Sequence, residues 1–328
     1  MGQMINFVSQ IKTTMKSQFK SVIEILDYYN TEAKCISLLE QQLWHGRPTC
    51  PHCGHFEKIY KTDRGYKCGS NKCYKKFTVT VGTIFHGTKI ELRYWLAAIY
   101  LVSAHKKGIS SHQLHRDLGV TQKTAWYMLQ RIREMLKAEG AEPLSGTVEA
   151  DETYIGGKDK NKHGNTGHVK DGVNSTIYTQ AKKDDKTPVV GAVERGGRVV
   201  CRKVESVNKG TLISFLVDNV QAASVIVTDE HAGYWTLPTQ GFTHQTCNHA
   251  AKQYVVGTSH TNTIEGFWSL FKRGIYGIYH NVSNKHLDRY CNEFSYRYNS
   301  RDVTDNERFH STLTNGGKRL KYQDLIAK

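Results

Sequence analysis

Four cysteines set the tightest constraint on how this chain can fold. They stand in two pairs, Cys50-Pro-His-Cys53 and Cys68-Gly-Ser-Asn-Lys-Cys73, with fourteen residues between the pairs. Two knuckles on a ribbon-length connector offer two thiolates each, which is what a closed tetrahedral Zn2+ site requires. Between them Ile59-Tyr-Lys61 and Gly65-Tyr-Lys67 alternate like a short hairpin, and Lys75 to Val79 adds a further extended run. Residues 46–82 therefore read as a zinc ribbon whose structural Zn2+ is held by Cys50, Cys53, Cys68 and Cys73. Gly54 and Gly69 each follow a cysteine, where a tight turn is wanted. The second knuckle is longer than the first, and His52 and His55 stand as alternative ligands. Such a module folds largely on its metal. Cys35, Cys201, Cys247 and Cys291 are scattered and read as small buried apolar residues.

Helical periodicity flanks the ribbon on both sides. Within residues 1–45, Phe19, Val22, Ile23 and Leu26, then Cys35, Leu38, Leu39 and Leu43, recur at helical spacing around Asn30-Thr31, which predicts a helical hairpin. Within 83–142, a helix over 91–103 precedes a helix-turn-helix pattern. Ser110 or Ser111 caps its first helix, Gly119 makes the turn, and Thr121 caps the second, which Ala125, Met128, Leu129 and Ile132 pack. Gln122, Lys123, Thr124 and Tyr127 would then face a DNA major groove, and Arg131 and Arg133 would reach phosphates. An ordinary helical hairpin is the alternative.

Lys plus Arg number 45 against 30 Asp plus Glu, a formal charge of +15, which makes nucleic acid the default partner. No apolar run approaches membrane-spanning length, and Lys12, Lys16 and Lys20 interrupt any signal-peptide core, so a cytoplasmic protein is expected.

Glu142-Pro-Leu-Ser-Gly146 marks a boundary, and beyond it the periodicity becomes that of strands. A strand over 146–157 carries Asp151. A hairpin turns at Gly196-Gly197, a helix spans 211–220, and a buried strand over 224–229 ends in Asp229. A helix over 262–274 carries Glu265, and an aromatic, basic helix covers 286–301. Residues 157–186 form a long polar loop. This order predicts an α+β or α/β ribonuclease H-like catalytic domain, a mixed sheet with flanking helices, over 143–302, followed by a tail over 303–328.

Two strand ends and one helix can bring Asp151, Asp229 and Glu265 to one site. Clustered carboxylates repel unless cations intervene, and Mg2+ (or Mn2+) takes oxygen ligands while keeping waters. Two such ions suit attack by water or a 3′-hydroxyl on a phosphodiester. Lys272 lies two helical turns beyond Glu265 on the same face, within reach of a phosphate. Trp268 reads either as a base-stacking residue or as a core wedge. Glu149 shares a strand face with Asp151 and is an alternative first acid; Glu152 points the other way. His244, Cys247 and His249 have metal-ligand chemistry without regular spacing, and His249 or His231 is a weaker catalytic candidate.

Four segments carry a resemblance: Leu43 to Gly54, Val148-Glu-Ala-Asp-Glu-Thr-Tyr-Ile-Gly-Gly-Lys158, Thr228-Asp-Glu-His-Ala-Gly-Tyr234 and Thr263 to Gly274. Together they resemble insertion-sequence transposases of the DDE superfamily, the ISXO2-like group with an N-terminal zinc ribbon and a lysine after the glutamate. The resemblance implies Asp151, Asp229 and Glu265 as metal ligands and Lys272 as the following lysine. It also implies binding to the terminal inverted repeats and target DNA, strand cleavage and strand transfer, and a homodimer or larger assembly on double-stranded DNA. No acid is missing, so an active enzyme is expected. The rival readings are a DNA-binding regulator with an inactive nuclease-like domain, and a nuclease that cuts without joining.

Overall fold

The computed structural model describes residues 18–138, 140–156, 186–247 and 260–327. The long polar loop and His249 lie outside them. The chain divides into two compact units, one of residues 137–299 and one of residues 1–136 with 300–328.

The discontinuous unit opens with two helices, α1 (Val22–Tyr28) and α2 (Glu32–Trp44), capped by Ser21 and Thr31, whose side chains accept backbone N–H bonds from Glu24 and Lys34. The ribbon follows as a three-stranded antiparallel sheet, β1 (Ile59–Thr62), β2 (Gly65–Cys68) and β3 (Lys76–Phe77). One face packs Tyr66 and Phe77 against Trp44, at centroid distances of 5.3 and 5.8 Å. Helix α3 (Leu92–Ala104) is apolar nearly all round and is the buried centre of the unit. Helices α4 (Ser111–Leu118) and α5 (Gln122–Met135) meet through Gly119, whose φ of 67° makes the left-handed turn. Ser110 and Thr121 cap them as expected, accepting from the N–H groups of Gln113 and Thr124.

The second unit is a five-stranded mixed sheet. Its strands are β4 (Thr147–Ile155), β5 (Thr187–Glu194), β6 (Val199–Lys203), β7 (Val225–Thr228) and β8 (Thr243–Thr246), in the order β6-β5-β4-β7-β8. The first three are antiparallel, and β7 and β8 run parallel to β4. Helix α6 (Lys209–Asn219) buries Leu212, Phe215 and Leu216 against Val148, Ala150, Val190 and Ala192 on one face. Helices α7 (Asn262–Gly274) and α8 (Leu287–Asn299) cover the other face with Phe267, Trp268, Phe271 and Phe294. Order, directions and flanking helices are those of a ribonuclease H-like fold. Strand β8 lies in a stretch the sequence pattern leaves irregular; two short 3-10 turns, Ala232–Tyr234 and Leu237–Gln240, replace a crossover helix before it.

The chain then returns to the first unit. Residues expected to be a tail form α9 (Asp305–Thr314) and α10 (Tyr322–Ile326). Helix α9 packs on α3 with Phe309 edge-on to Tyr100 at 6.0 Å, and the Asn306 side chain accepts the Phe19 N–H at 3.0 Å. Burial of Phe309 and Leu313 is what holds this segment in place.

Candidate active site and metal centre

In the ribbon, the four cysteine Sγ atoms all lie within 4.8 Å of one another. Cys50 and Cys73 are 3.8 Å apart, and Cys53 and Cys68 are 3.7 Å apart. A tetrahedron with Zn–S bonds of about 2.3 Å has edges of about 3.8 Å, which those two pairs match, so the four thiols suit Zn2+. Gly54 takes a left-handed φ of 73°, as a knuckle turn needs. Gly69 serves differently: a Cβ there would meet the Tyr60 ring at 2.7 Å and the Lys58 carbonyl at 2.8 Å. The left-handed residue of the second knuckle is Tyr74. His55 Nε2 accepts the Lys58 N–H, which occupies that ring nitrogen locally.

In the sheet unit, β4 pairs parallel with β7 so that Glu149 is level with Val227. Asp151 follows two residues on, in the middle of β4, and Asp229 comes just past the end of β7, near enough for its carboxylate to act on that of Asp151. Asp151 shares its strand face with Glu149 and Ile155, the face that α7 covers. Its Oδ2 accepts a 3.1 Å bond from Trp268 Nε1. The indole reaches it by lying over Gly191, the cross-strand partner of Asp151; a Cβ on Gly191 would come within 2.7 Å of the ring. Trp268 is thus a core wedge that also holds the acid.

Burial, followed by the neighbouring Glu152 and Asp229 carboxylates, raises the Asp151 pKa from 3.8 to about 7. Glu152 projects to the opposite face. Its Oε2 accepts from the buried Tyr234 hydroxyl at 2.9 Å, and burial raises its pKa too. Asp229 accepts the His231 N–H at 3.0 Å, the start of the turn that carries Tyr234. An oxygen-only, mutually repelling set of acids is the donor chemistry a hard divalent cation takes.

Glu265 stands exposed in the first turn of α7, and its Oε1 accepts from Thr261 Oγ1 at 2.9 Å. Lys272 follows on nearly the same helix face, half-buried. Among the described residues the four cysteines are the set whose ligand atoms all lie within 4.8 Å. Asp151, Asp229 and Glu265 do not form such a set: Asp229 lies near enough to act on the charge of Asp151, and Glu265 is held by Thr261 at the start of α7.

Glu149 is not exposed at all, unlike an acid open to substrate. It accepts the Thr263 and Ile264 N–H groups at 2.8 and 3.1 Å, the Thr263 hydroxyl at 2.9 Å and Arg195 Nε at 2.7 Å. His260 Nδ1 lies 3.2 Å away. Its presence on the Asp151 face was readable from strand period; its partners, 46 to 115 residues away, were not. His244 bonds Thr228 through Nε2 at 2.9 Å, and burial lowers its pKa.

The expected groove-reading face of α5 is largely engaged within its own unit. Arg131 is 4% exposed; its Nη2 donates to the His86 carbonyl and its guanidinium lies over Trp95 and Tyr127. Arg133 is buried. The Tyr127 hydroxyl donates to the Leu320 carbonyl, and its ring meets Tyr322. Gln122 donates to Ser111, Thr124 bonds Thr121, and exposed Lys123 lies over Tyr322. The reason is the C-terminal return: residues 319–326 and the 83–95 segment cover the side of α5 opposite its predicted core.

Residues 143–299 match the family model of the ISXO2-like transposase domain, and residues 30–76 match the transposase zinc-ribbon domain. Over these residues the chain is similar to the ISXO2-like transposases. A curated relative from Halobacterium salinarum, described as an uncharacterized protein in transposable element ISH50, is 28% identical over 273 residues, 81% of this chain and 90% of that protein. Among solved structures, the Mos1 strand transfer complex aligns over 65% of this chain and 75% of that chain at 15% identity, with a TM-score of 0.28. The mariner Mos1 paired end complex with Mg aligns over 92% and 97% at 15% identity, with a TM-score of 0.25.

Proposed function

We propose that the protein is a DDE transposase that cleaves DNA at the ends of an insertion sequence and joins those ends to target DNA. The observation that carries the reading is the approach of Asp151, on β4, and Asp229, just past the parallel strand β7, with Asp151 pushed to about 7 by burial and by its acidic neighbours. Asp151, Asp229 and Glu265 would hold the divalent ions. Bound Mg2+ or Mn2+ would offset charge on the attacking and leaving oxygens of the phosphodiester. Trp268 orients the Asp151 carboxylate, and the His231 N–H orients that of Asp229. Lys272 would bind a phosphate beside the acids.

Double-stranded DNA is the partner, at the terminal inverted repeats and at the target, and two ends brought together imply a dimer or larger assembly. The outer face of the ribbon supports phosphate contact more directly than α5 does. Residues 46–82 hold eight Lys and Arg against two acids. Tyr60, Lys67 and Lys76 are cross-strand neighbours and all exposed, with Lys67 directly opposite Lys76. Like charges facing each other across strands cost stability, and a polyanion relieves that cost.

The test uses supercoiled donor DNA carrying the sequences that flank this reading frame, with Mg2+ or Mn2+. Wild type should give cleaved and strand-transfer products; Asp229→Ala should bind the ends but not cut. Equal cutting by both proteins would remove Asp229 from the mechanism, and cleavage without joining would make the enzyme a nuclease.

A further inference from the structure

Helix α7 lacks a cap of its own. The side chain of Thr261, at the N-cap position, makes no capping bond to a backbone N–H; its hydroxyl donates to Glu265 instead. The second and third helical N–H groups, which an N-cap side chain ordinarily takes, are taken by Glu149 from strand β4, 114 and 115 residues away. The same carboxylate accepts the Thr263 hydroxyl and Arg195 Nε. Arg195 is itself fixed: its N–H donates to the Thr147 carbonyl and its Nη2 to the His260 carbonyl, at 3.0 and 2.7 Å. One fully buried acid therefore clasps four pieces of chain: strand β4, the end of β5, the entry to α7 and the first turn of α7.

A local cap would stabilise the helix equally well. What a cap from β4 adds is registration. Glu149 lies two residues before Asp151 on the same strand face, and Thr263 and Ile264 lie immediately before Glu265. A second tie, from Trp268 to Asp151, sits one turn further along α7. Two contacts about a turn apart fix both the axial position and the rotation of the helix on the strand. A buried carboxylate with its full set of donors also resists displacement, because losing one partner leaves charge unsatisfied in the interior.

We propose that Glu149 is a positioning residue for the divalent-metal site: it seats the helix bearing Glu265 against the strand bearing Asp151, without touching metal or DNA. This rests on the metal-binding reading of the three acids.

The test is Glu149→Gln, with Glu149→Asp as the second variant, in full-length zinc-loaded protein. Tb3+ is the probe, because the Trp268 indole bonds Asp151 and would sensitise emission from an ion held there. Wild type should give indole-sensitised emission that Asp151→Asn abolishes. Its absence in wild type would sink the metal-site reading itself, independently of Glu149. Glu149→Gln should keep its zinc and its far-ultraviolet dichroism but need roughly 10- to 100-fold more Tb3+, the range seen when residues supporting metal ligands are lost. The Mg2+ midpoint for DNA cleavage should move by a similar factor. Glu149→Asp, which keeps the charge but is a methylene shorter, should fall between. Unchanged Tb3+ and Mg2+ midpoints in folded Glu149→Gln would overturn the proposal. So would failure of both variants to fold, which would make the carboxylate a general structural element.

Discussion

Asp151→Asn should make the metal-free protein more stable at neutral pH while abolishing cleavage. Asp151 is raised from 3.8 to about 7 by burial first and by Glu152 and Asp229 next. The folded state therefore binds a proton that the unfolded state releases between those pH values. Stability must fall as pH rises from about 4 to about 7, and it does not recover above that. At 1.36 kcal/mol for each tenfold change in proton affinity, the full cost at pH 8 is about 4 kcal/mol. Water reaches part of the carboxyl group, so about 2–4 kcal/mol is the working range. Asparagine keeps an oxygen for Trp268 Nε1 and carries no charge. The assay is denaturant unfolding of zinc-loaded protein at pH 5 and pH 8, without Mg2+ and with it. The transition of the 137–299 unit is followed, because two units need not unfold together. The variant should exceed wild type at pH 8 and the difference should shrink at pH 5. Mg2+ should stabilise wild type and leave the variant unmoved. A variant equally destabilised at both pH values would refute the claim that burial and repulsion among acids store free energy at Asp151.

Three further outcomes follow from particular contacts. Gly191→Ala should cost about 1–3 kcal/mol and lower cleavage, because its Cβ would displace the Trp268 ring; unchanged melting and rate would remove the wedge from the account. Cys68→Ser should lose Zn2+ from a protein that otherwise binds about one per chain, and should unfold the ribbon while leaving the 137–299 unit folded; full zinc retention on metal analysis would refute four-thiolate ligation. Lys67→Gln with Lys76→Gln should weaken binding to specific and random duplexes alike and reduce the slope of log affinity against log salt by about 2; an unchanged slope would move phosphate contact off the ribbon face.

What the sequence disclosed depended on how local each signal was. The zinc knuckles, the caps at Ser110 and Thr121 and the boundaries of α7 are written in adjacent residues, and the structure has them where the pattern puts them. The order of strands and helices followed from alternating periodicity. Helix α9 was missed although Thr304 and Glu307 form a capping box, because no amphipathic stripe strong enough to override a polar segment accompanies it. Strand β8, Thr-His-Gln-Thr, has no apolar alternation; parallel pairing to β7 alone makes it a strand. Arg131 illustrates the opposite failure. Its helical position is right, but a basic residue on the flank of a helix says nothing about what covers that flank, and here segments far along the chain do so.

The stretch Val148-Glu-Ala-Asp-Glu152 shows how one strand can organise a site assembled from distant segments. Its apolar residues, Val148 and Ala150, go to the core beneath α6. The acids between and beyond them engage two elements: Glu149 holds the first turn of α7, Asp151 meets Trp268 from its next turn, and Glu152 meets Tyr234 from the turn after Asp229. Strand alternation puts the first two on one face and the third on the other. Glu265 and Asp229 are thus each tethered, by way of their own neighbours, to the strand that carries Asp151. A one-residue slip of β4 would break all three tethers at once and turn the acids into the wrong layers, so the pairing of β4 with β5 and β7 is itself the device that sets the geometry of the acids.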